Sequence, residues 1–183
     1  MAITYSVGAD DRITDWSSDY SKFALMNDGL ELTAPSMKGK LLWHFIADDD
    51  TRQLYGELLN EVRSGSCTTF NFRCDGPRIR RELQMSITAS SGGSVCFTIN
   101  PVLTQNRDYQ PILDRSFRRS ADEIPFCSWC NKIFISENNW QEVEEGVQEL
   151  GLIDVGEMPI LDPVTCDACY SVCRSRIGSL RSK

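Results

Sequence analysis

The chain has 183 residues, 41% of them hydrophobic and 25% charged, with a formal net charge of −7. That length suits one compact domain or two small ones, and the apolar content is enough for a core, which excludes wholesale disorder. Both halves are acidic on balance, so neither offers the phosphate-neutralising surface that nucleic-acid affinity requires.

No run of about 18 apolar residues is present to span a bilayer. The N-terminus has neither a basic n-region nor an apolar h-region. A reducing, cytoplasmic setting is therefore expected. Eight cysteines in that setting argue for metal or free thiols rather than disulfides. Three small arginine clusters (Arg78, Arg80, Arg81; Arg115, Arg118, Arg119; Arg174, Arg176, Arg181) read as solvated faces or salt-bridge partners.

The first segment runs over residues 1–104. Residues 3–6 and 12–16 read as short strands joined by the turn Val7-Gly8-Ala9-Asp10-Asp11. Residues 20–27 predict a short helix with Phe23 and Ala24 inward and Asn27-Asp28-Gly29 as its stop. Pro35-Ser36-Met37-Lys38-Gly39 is a turn leading into Leu41-Leu42-Trp43-His44-Phe45-Ile46. The next helix can be capped by Asp49 or Asp50, and Leu54, Leu58 and Val62 recur on one face until Ser64-Gly65-Ser66 ends it. Three strands follow. Residues 67–74 place Phe70 and Phe72 together, residues 81–89 turn Leu83, Met85 and Ile87 inward, and residues 95–103 do the same with Val95, Phe97 and Ile99.

Residues 105–122 are polar and mixed in charge and read as a linker with a helical turn near Ile112-Leu113. The second segment, residues 123–183, holds two CxxC pairs, Cys127-Ser128-Trp129-Cys130 and Cys166-Asp167-Ala168-Cys169. Each CxxC turn sets two thiolates on one side of an ion, and two turns complete a tetrahedron of sulfur. A four-sulfur shell leaves no open position, so such a zinc, one per chain, holds structure and does not activate water. An iron–sulfur cluster would take the same ligands, and a redox dithiol would need only one pair. Cys173 could replace a ligand, but a buried thiol is the plainer reading. Between the pairs, Ile133-Phe134-Ile135 predicts a strand. Asn138 or Asn139 would cap a helix with Trp140, Val143, Val147 and Leu150 on one face, Gly151 would end it, and Glu142, Glu144, Glu145 and Glu149 would lie mostly toward solvent. Pro159 and Pro163 set an extended return to the second pair.

The order of elements in residues 1–104 resembles the PAS fold. The carriers are the opening strand pair, Lys38-Gly39 before Leu41-Leu42-Trp43, the helix starting at Thr51-Arg52, and Phe72-Arg73-Cys74-Asp75-Gly76-Pro77 before Arg80-Arg81, the last resembling a subset of bacterial PAS-like proteins. The resemblance implies an α+β fold: a five-stranded antiparallel sheet with helices on one side, and after it a small C-terminal zinc-binding domain. Residues 123–173, through Cys127-Ser128-Trp129-Cys130-Asn131-Lys132-Ile133, Trp140-Gln141-Glu142-Val143 and Cys166-Asp167-Ala168-Cys169, resemble a zinc-ribbon-like module often attached to bacterial signalling proteins. Asp162-Pro163-Val164-Thr165 stands where that family carries a Ser/Thr-His-Gly-type segment, which weakens any function that depends on the histidine.

A PAS-type cavity could be lined by Trp16, Phe23, Trp43, Phe45, Phe70, Phe72 and Phe97, although the same aromatics could simply fill it. Arg81, in phase with Leu83, could aim a guanidinium at an anion there, or pair with Asp48-Asp49-Asp50 at a strand end. His44 precedes the long helix on which haem-binding PAS proteins place their ligand, so a structural or surface histidine is expected. Cys67, Cys74 and Cys96 read as small buried hydrophobes. One histidine, no nucleophile motif and no phosphate loop make an enzyme unexpected. The expectation is a sensory or adaptor protein that binds a small molecule, a protein partner or a second copy of itself. A zinc-stabilised nucleic-acid-binding or transcription-related regulator is the alternative.

Overall fold

The computed structural model describes residues 3–25 and 37–182. The expected helix stop at Asn27-Asp28-Gly29 and the Pro35-Ser36 end of the next turn lie outside them. Strands β1 (Ile3–Val7) and β2 (Ile13–Trp16) form the opening hairpin. Its turn closes through Gly8 N–H to the Arg12 carbonyl at 2.8 Å, with Asp11 in the left-handed region at φ 61°. Helix α1 (Ser18–Leu25) buries Ala24 and half-buries Phe23. A 3-10 turn (Leu42–Phe45) precedes the long helix α2 (Asp49–Arg63). The cap of α2 is Asp48, one residue before the two aspartates expected, and its carboxylate accepts from Asp50 N–H at 3.0 Å.

Three antiparallel strands follow: β3 (Cys67–Arg73), β4 (Ile79–Ala89) and β5 (Val95–Asn106). The five-stranded sheet has the order β2-β1-β5-β4-β3. Every neighbouring pair in it is antiparallel. This is the PAS-like α+β arrangement that the element order implied. Period-two alternation sends Ile3 and Val7, Phe70, Leu83, Met85 and Ile87, and Val95, Phe97 and Ile99 to one buried face. Leu54, Leu58, Leu59 and Val62 of α2 join them in one cluster.

Residues 105–122 are structured rather than a bare connection. They carry the end of β5, a 3-10 turn at Pro111–Leu113 with Ile112 fully buried, and the start of β6 (Arg119–Cys127). Arg119 binds this stretch together. Its Nη1 donates to the carbonyls of Ile112 and Pro159, each at 3.0 Å, and its Nη2 to that of Asp114 at 2.7 Å. The polar composition that suggested a linker thus includes an arginine spent on backbone acceptors.

A second, four-stranded sheet has the order β8-β7-β6-β9, with β7 (Ile133–Ser136), β8 (Asn139–Gln141) and β9 (Met158–Val164). The helix expected to start at Asn138 or Asn139 is displaced. Asn138 adopts φ 60°, which closes a hairpin, and Trp140 lies on β8 with its ring 5.3 Å from Phe134. Helix α3 (Val143–Glu149) begins after it and buries Val143 and Val147, while Leu150 stays exposed. Gly146 lets α3 approach β7 closely, since a Cβ there would meet Ile133 and Ile135 at 3.3 Å. Gly151, at φ 65°, follows the end of the helix as expected. β9 runs parallel to β6, a pairing that alternation does not reveal.

The last helix, α4 (Asp167–Arg181), packs back on α2. Arg181 reaches Glu57 at 2.9 Å and Glu61 at 2.8 Å, and Arg174 also pairs with Glu57. Cys173, Ile177 and Leu180 enter the same apolar cluster as the first sheet, together with Cys127, Trp129 and Cys166. The second sheet keeps only a small cluster of its own: Ile112, Ile133, Val143, Val147 and Met158.

Candidate metal centre and adjoining cavity

Two different local structures present the four thiols. The first is a turn at the β6–β7 hairpin. Cys127 N–H donates to the Lys132 carbonyl at 2.9 Å, and Asn131, left-handed at φ 55°, returns its N–H to the Cys127 carbonyl at 2.9 Å. The second is a strand-to-helix junction rather than a second hairpin. Cys166 caps α4 in extended conformation (φ −71°, ψ 154°), and Cys169 sits in the first helical turn. The positive end of the helix dipole there favours a thiolate. Ser128 N–H, donating to the Val164 carbonyl at 2.8 Å, ties the two cysteine-bearing loops to each other.

The four Sγ atoms lie within 4.8 Å of one another, with Cys130 and Cys166 at 3.9 Å. A tetrahedral metal with bonds of about 2.3 Å to sulfur has S···S edges of about 3.8 Å, so the spacing suits one ion. All four are free thiols. Cys127 is 0% and Cys166 4% exposed. The backbone N–H of Cys166 lies 3.4 Å from Cys127 Sγ. Hydrogen bonds from Cys130, Cys166 and Cys169 pull the Cys127 thiol far below its ordinary value. Donation to Cys127 pushes Cys130 and Cys169 well above theirs. A bound cation would let all four thiols ionise together. These four residues could hold a metal ion. Cys173 is outside the group, and burial pushes its thiol up to about 11.

Trp129, between the first two thiols, was read only as part of the motif. Trp129 is 6% exposed, and its ring sits 5.2 Å from Phe70 and 5.5 Å from Tyr55, inside the core of the first sheet. Its carbonyl accepts from Arg73 N–H at 2.8 Å, and its indole N–H donates to Thr51 Oγ1 at 3.0 Å. Near it the segment Arg73-Cys74-Asp75-Gly76 forms an ionic seam with the second half. Asp75, with a side chain 0% exposed, pairs with Arg73 and with Arg107 at 3.3 Å. Its N–H donates to Asn131 Oδ1 at 2.9 Å. Glu142 takes Arg73 at 3.2 Å and Arg80 at 2.8 Å, and Glu144 takes Arg80 and Arg107, each at 3.2 Å. These two glutamates, expected toward solvent, are therefore interface residues.

A cavity of about 850 Å³ lies between the sheet and this seam. Of the expected lining, Phe23, Phe45, Phe72 and Arg81 border it. Phe70 and Phe97 are core residues, Phe97 stacking on Tyr5 at 4.4 Å. Trp16 packs against the core from β2, and Trp43 donates its indole N–H to Asp11 at 3.0 Å. Arg81 donates to the Cys74 carbonyl at 3.0 Å and lies 5.4 Å from the Phe23 ring centroid. Asp48, one of its three expected partners, is engaged by Thr51 and Thr165. Tyr5, Tyr20, Tyr55 and Trp129 also line the cavity. Burial pushes the Tyr20 hydroxyl up to about 12 and raises those of Tyr5 and Tyr55 as well, so all three are neutral donors at physiological pH. Tyr5 was legible, since it shares the period of Ile3 and Val7, whereas nothing periodic marks Trp129. His44 is exposed, its ring edge-on to Phe45 at 5.6 Å. Cys67 is exposed, contrary to the buried reading, while Cys74 borders the cavity and Cys96 is half-buried.

Among the described residues no helix is long and apolar enough to cross a membrane. No family model and no curated protein sequence matches the chain. Among solved structures, a crystal structure of a sensory box sensor histidine kinase from Vibrio cholerae is similar over 57% of this chain and 84% of that one, at 13% identity and a TM-score of 0.39.

Proposed function

We infer that this chain is a non-enzymatic signalling or adaptor protein in which a PAS-like half senses a small molecule or a partner and a structural zinc site holds the second interaction surface. One observation carries the reading: Ser128 and Trp129, the two residues between Cys127 and Cys130, form part of the wall of the 850 Å³ cavity. What occupies the cavity therefore touches the loop that holds the metal. The ligand set favours zinc because four soft sulfurs at these separations give a closed tetrahedral shell. Bound there, zinc would supply cross-linking and charge balance for the thiolates, and a closed shell leaves no position for substrate. Output then passes to a partner protein or a second copy of the chain.

Native mass spectrometry of the purified protein tests this. The expected spectrum shows about one zinc per chain, with either a retained small molecule or a protein assembly. A metal-free, ligand-free monomer that captures no small molecule on screening would contradict it.

A further inference from the structure

We propose that Thr51, on the long helix of the sensor-like half, is a positioning residue for the metal centre, acting with Asp48 and Thr165 through one buried hydrogen-bond node. The proposal rests on the reading of the four cysteines as a metal site and names residues outside the ligand set that shape it.

Asp48 caps α2, and its Oδ1 is spent on the Asp50 N–H at 3.0 Å. Its Oδ2 accepts two hydroxyls, Thr51 Oγ1 at 2.5 Å and Thr165 Oγ1 at 2.6 Å. The two hydroxyl oxygens lie 2.9 Å apart, brought together across 114 residues of sequence. With both protons directed at the carboxylate, Thr51 Oγ1 keeps its lone pairs and accepts the Trp129 indole N–H at 3.0 Å. Asp48 and Thr51 are both buried.

Each arm of the node ends beside a ligand pair. Trp129 lies between Cys127 and Cys130, and Thr165 directly precedes Cys166. The helix cap therefore anchors both cysteine-bearing loops. Orientation of ligands by groups beyond the coordination shell is a general determinant of metal affinity, worth about 10–100-fold when such a group is removed. The node differs from the usual case in grasping the residues next to the ligands rather than the thiolates themselves. Binding is reciprocal: a metal that holds the two loops also holds the first turn of α2.

The test is competition for zinc against a chromophoric chelator, with cobalt absorption reporting ligand geometry. Thr51→Val, which keeps the shape and removes the hydroxyl, should weaken zinc binding by about tenfold, or about 1.4 kcal/mol, while Thr51→Ser binds as wild type does. The cobalt spectrum should remain that of four sulfurs in both. If Thr51→Val fails to fold, Thr165→Val reads the other arm, with the same expectation. Removing zinc from the wild type should also speed amide exchange at Asp50 and Arg52 by at least about tenfold. Equal zinc affinity in wild type and the valine variants, or an α2 first turn indifferent to zinc, would overturn the proposal alone. Wild-type protein that takes up no zinc or cobalt would overturn the metal reading and this inference with it.

Discussion

The two sheets bury an apolar face by different means. The five-stranded sheet is covered by α2, and the packing of Leu54, Leu58, Leu59 and Val62 against Leu83, Met85, Ile87 and Phe97 needs nothing beyond side-chain volume. The four-stranded sheet has a small cluster of its own. It makes up the difference with the thiol group between β6 and α4, with the ionic seam at Asp75, Glu142 and Glu144, and by sending Trp129 and α4 into the core of its neighbour. A short segment with little core gains stability from a metal or from a larger neighbour. Here the second sheet has residues placed for both.

The comparison breaks most sharply at Trp129. Trp129→Ala empties a site shared by Phe70, Tyr55 and Thr51. It should cost about 3–5 kcal/mol, seen as a lower denaturant midpoint for both sheets by hydrogen exchange. Leu58→Ala, in the same cluster but outside the hydrogen-bond node at Thr51, should cost a similar amount and leave zinc affinity unchanged. If Trp129→Ala loosens only the second sheet, the shared core is not a cooperative one.

A smaller effect separates the sheets by pH. Tyr5, Tyr20 and Tyr55 all belong to the first core, and burial raises each hydroxyl, that of Tyr20 to about 12. The unfolded value is about 10, so the folded state binds the proton more tightly. Their contribution is intact below pH about 10 and is lost as pH climbs from there through the folded values. Urea midpoints measured across this window should fall. Tyr20→Phe should remove a share on the order of 2 kcal/mol from that fall. A fall of the same size in Tyr20→Phe would contradict this assignment. The smallest effect belongs to the partly exposed helix pairs. Glu57→Gln, which weakens the links to Arg174 and Arg181, should cost no more than about 1 kcal/mol, and differential scanning calorimetry will show whether α4 docks through those charges or through Ile177 and Leu180.

The same contrast explains what could be read from the sequence. The first sheet was legible because alternation in β3, β4 and β5 and the fourfold spacing of Leu54, Leu58 and Val62 are local signals of burial. The grouping of the four thiols was legible because CxxC spacing is itself what a tetrahedral metal site requires. The hairpin at Asn138 was missed because a cap and a left-handed turn both use asparagine. The parallel pairing of β6 with β9 depends on contacts between residues far apart in the chain, which no local pattern announces. Trp129, Arg107 and Glu142 were missed as joining residues for the same reason: a tryptophan in a knuckle and charges on a surface-like stretch look solvent-facing until the other half of the molecule is set against them.

The central claim is that Cys127, Cys130, Cys166 and Cys169 grip one structural ion. X-ray absorption at the zinc edge of protein purified under reducing conditions tests it most directly. The expected result is about one zinc per chain surrounded by four sulfurs at about 2.3 Å. Metal-free protein, a shell containing nitrogen or oxygen, or the same cysteines recovered as disulfides would contradict it.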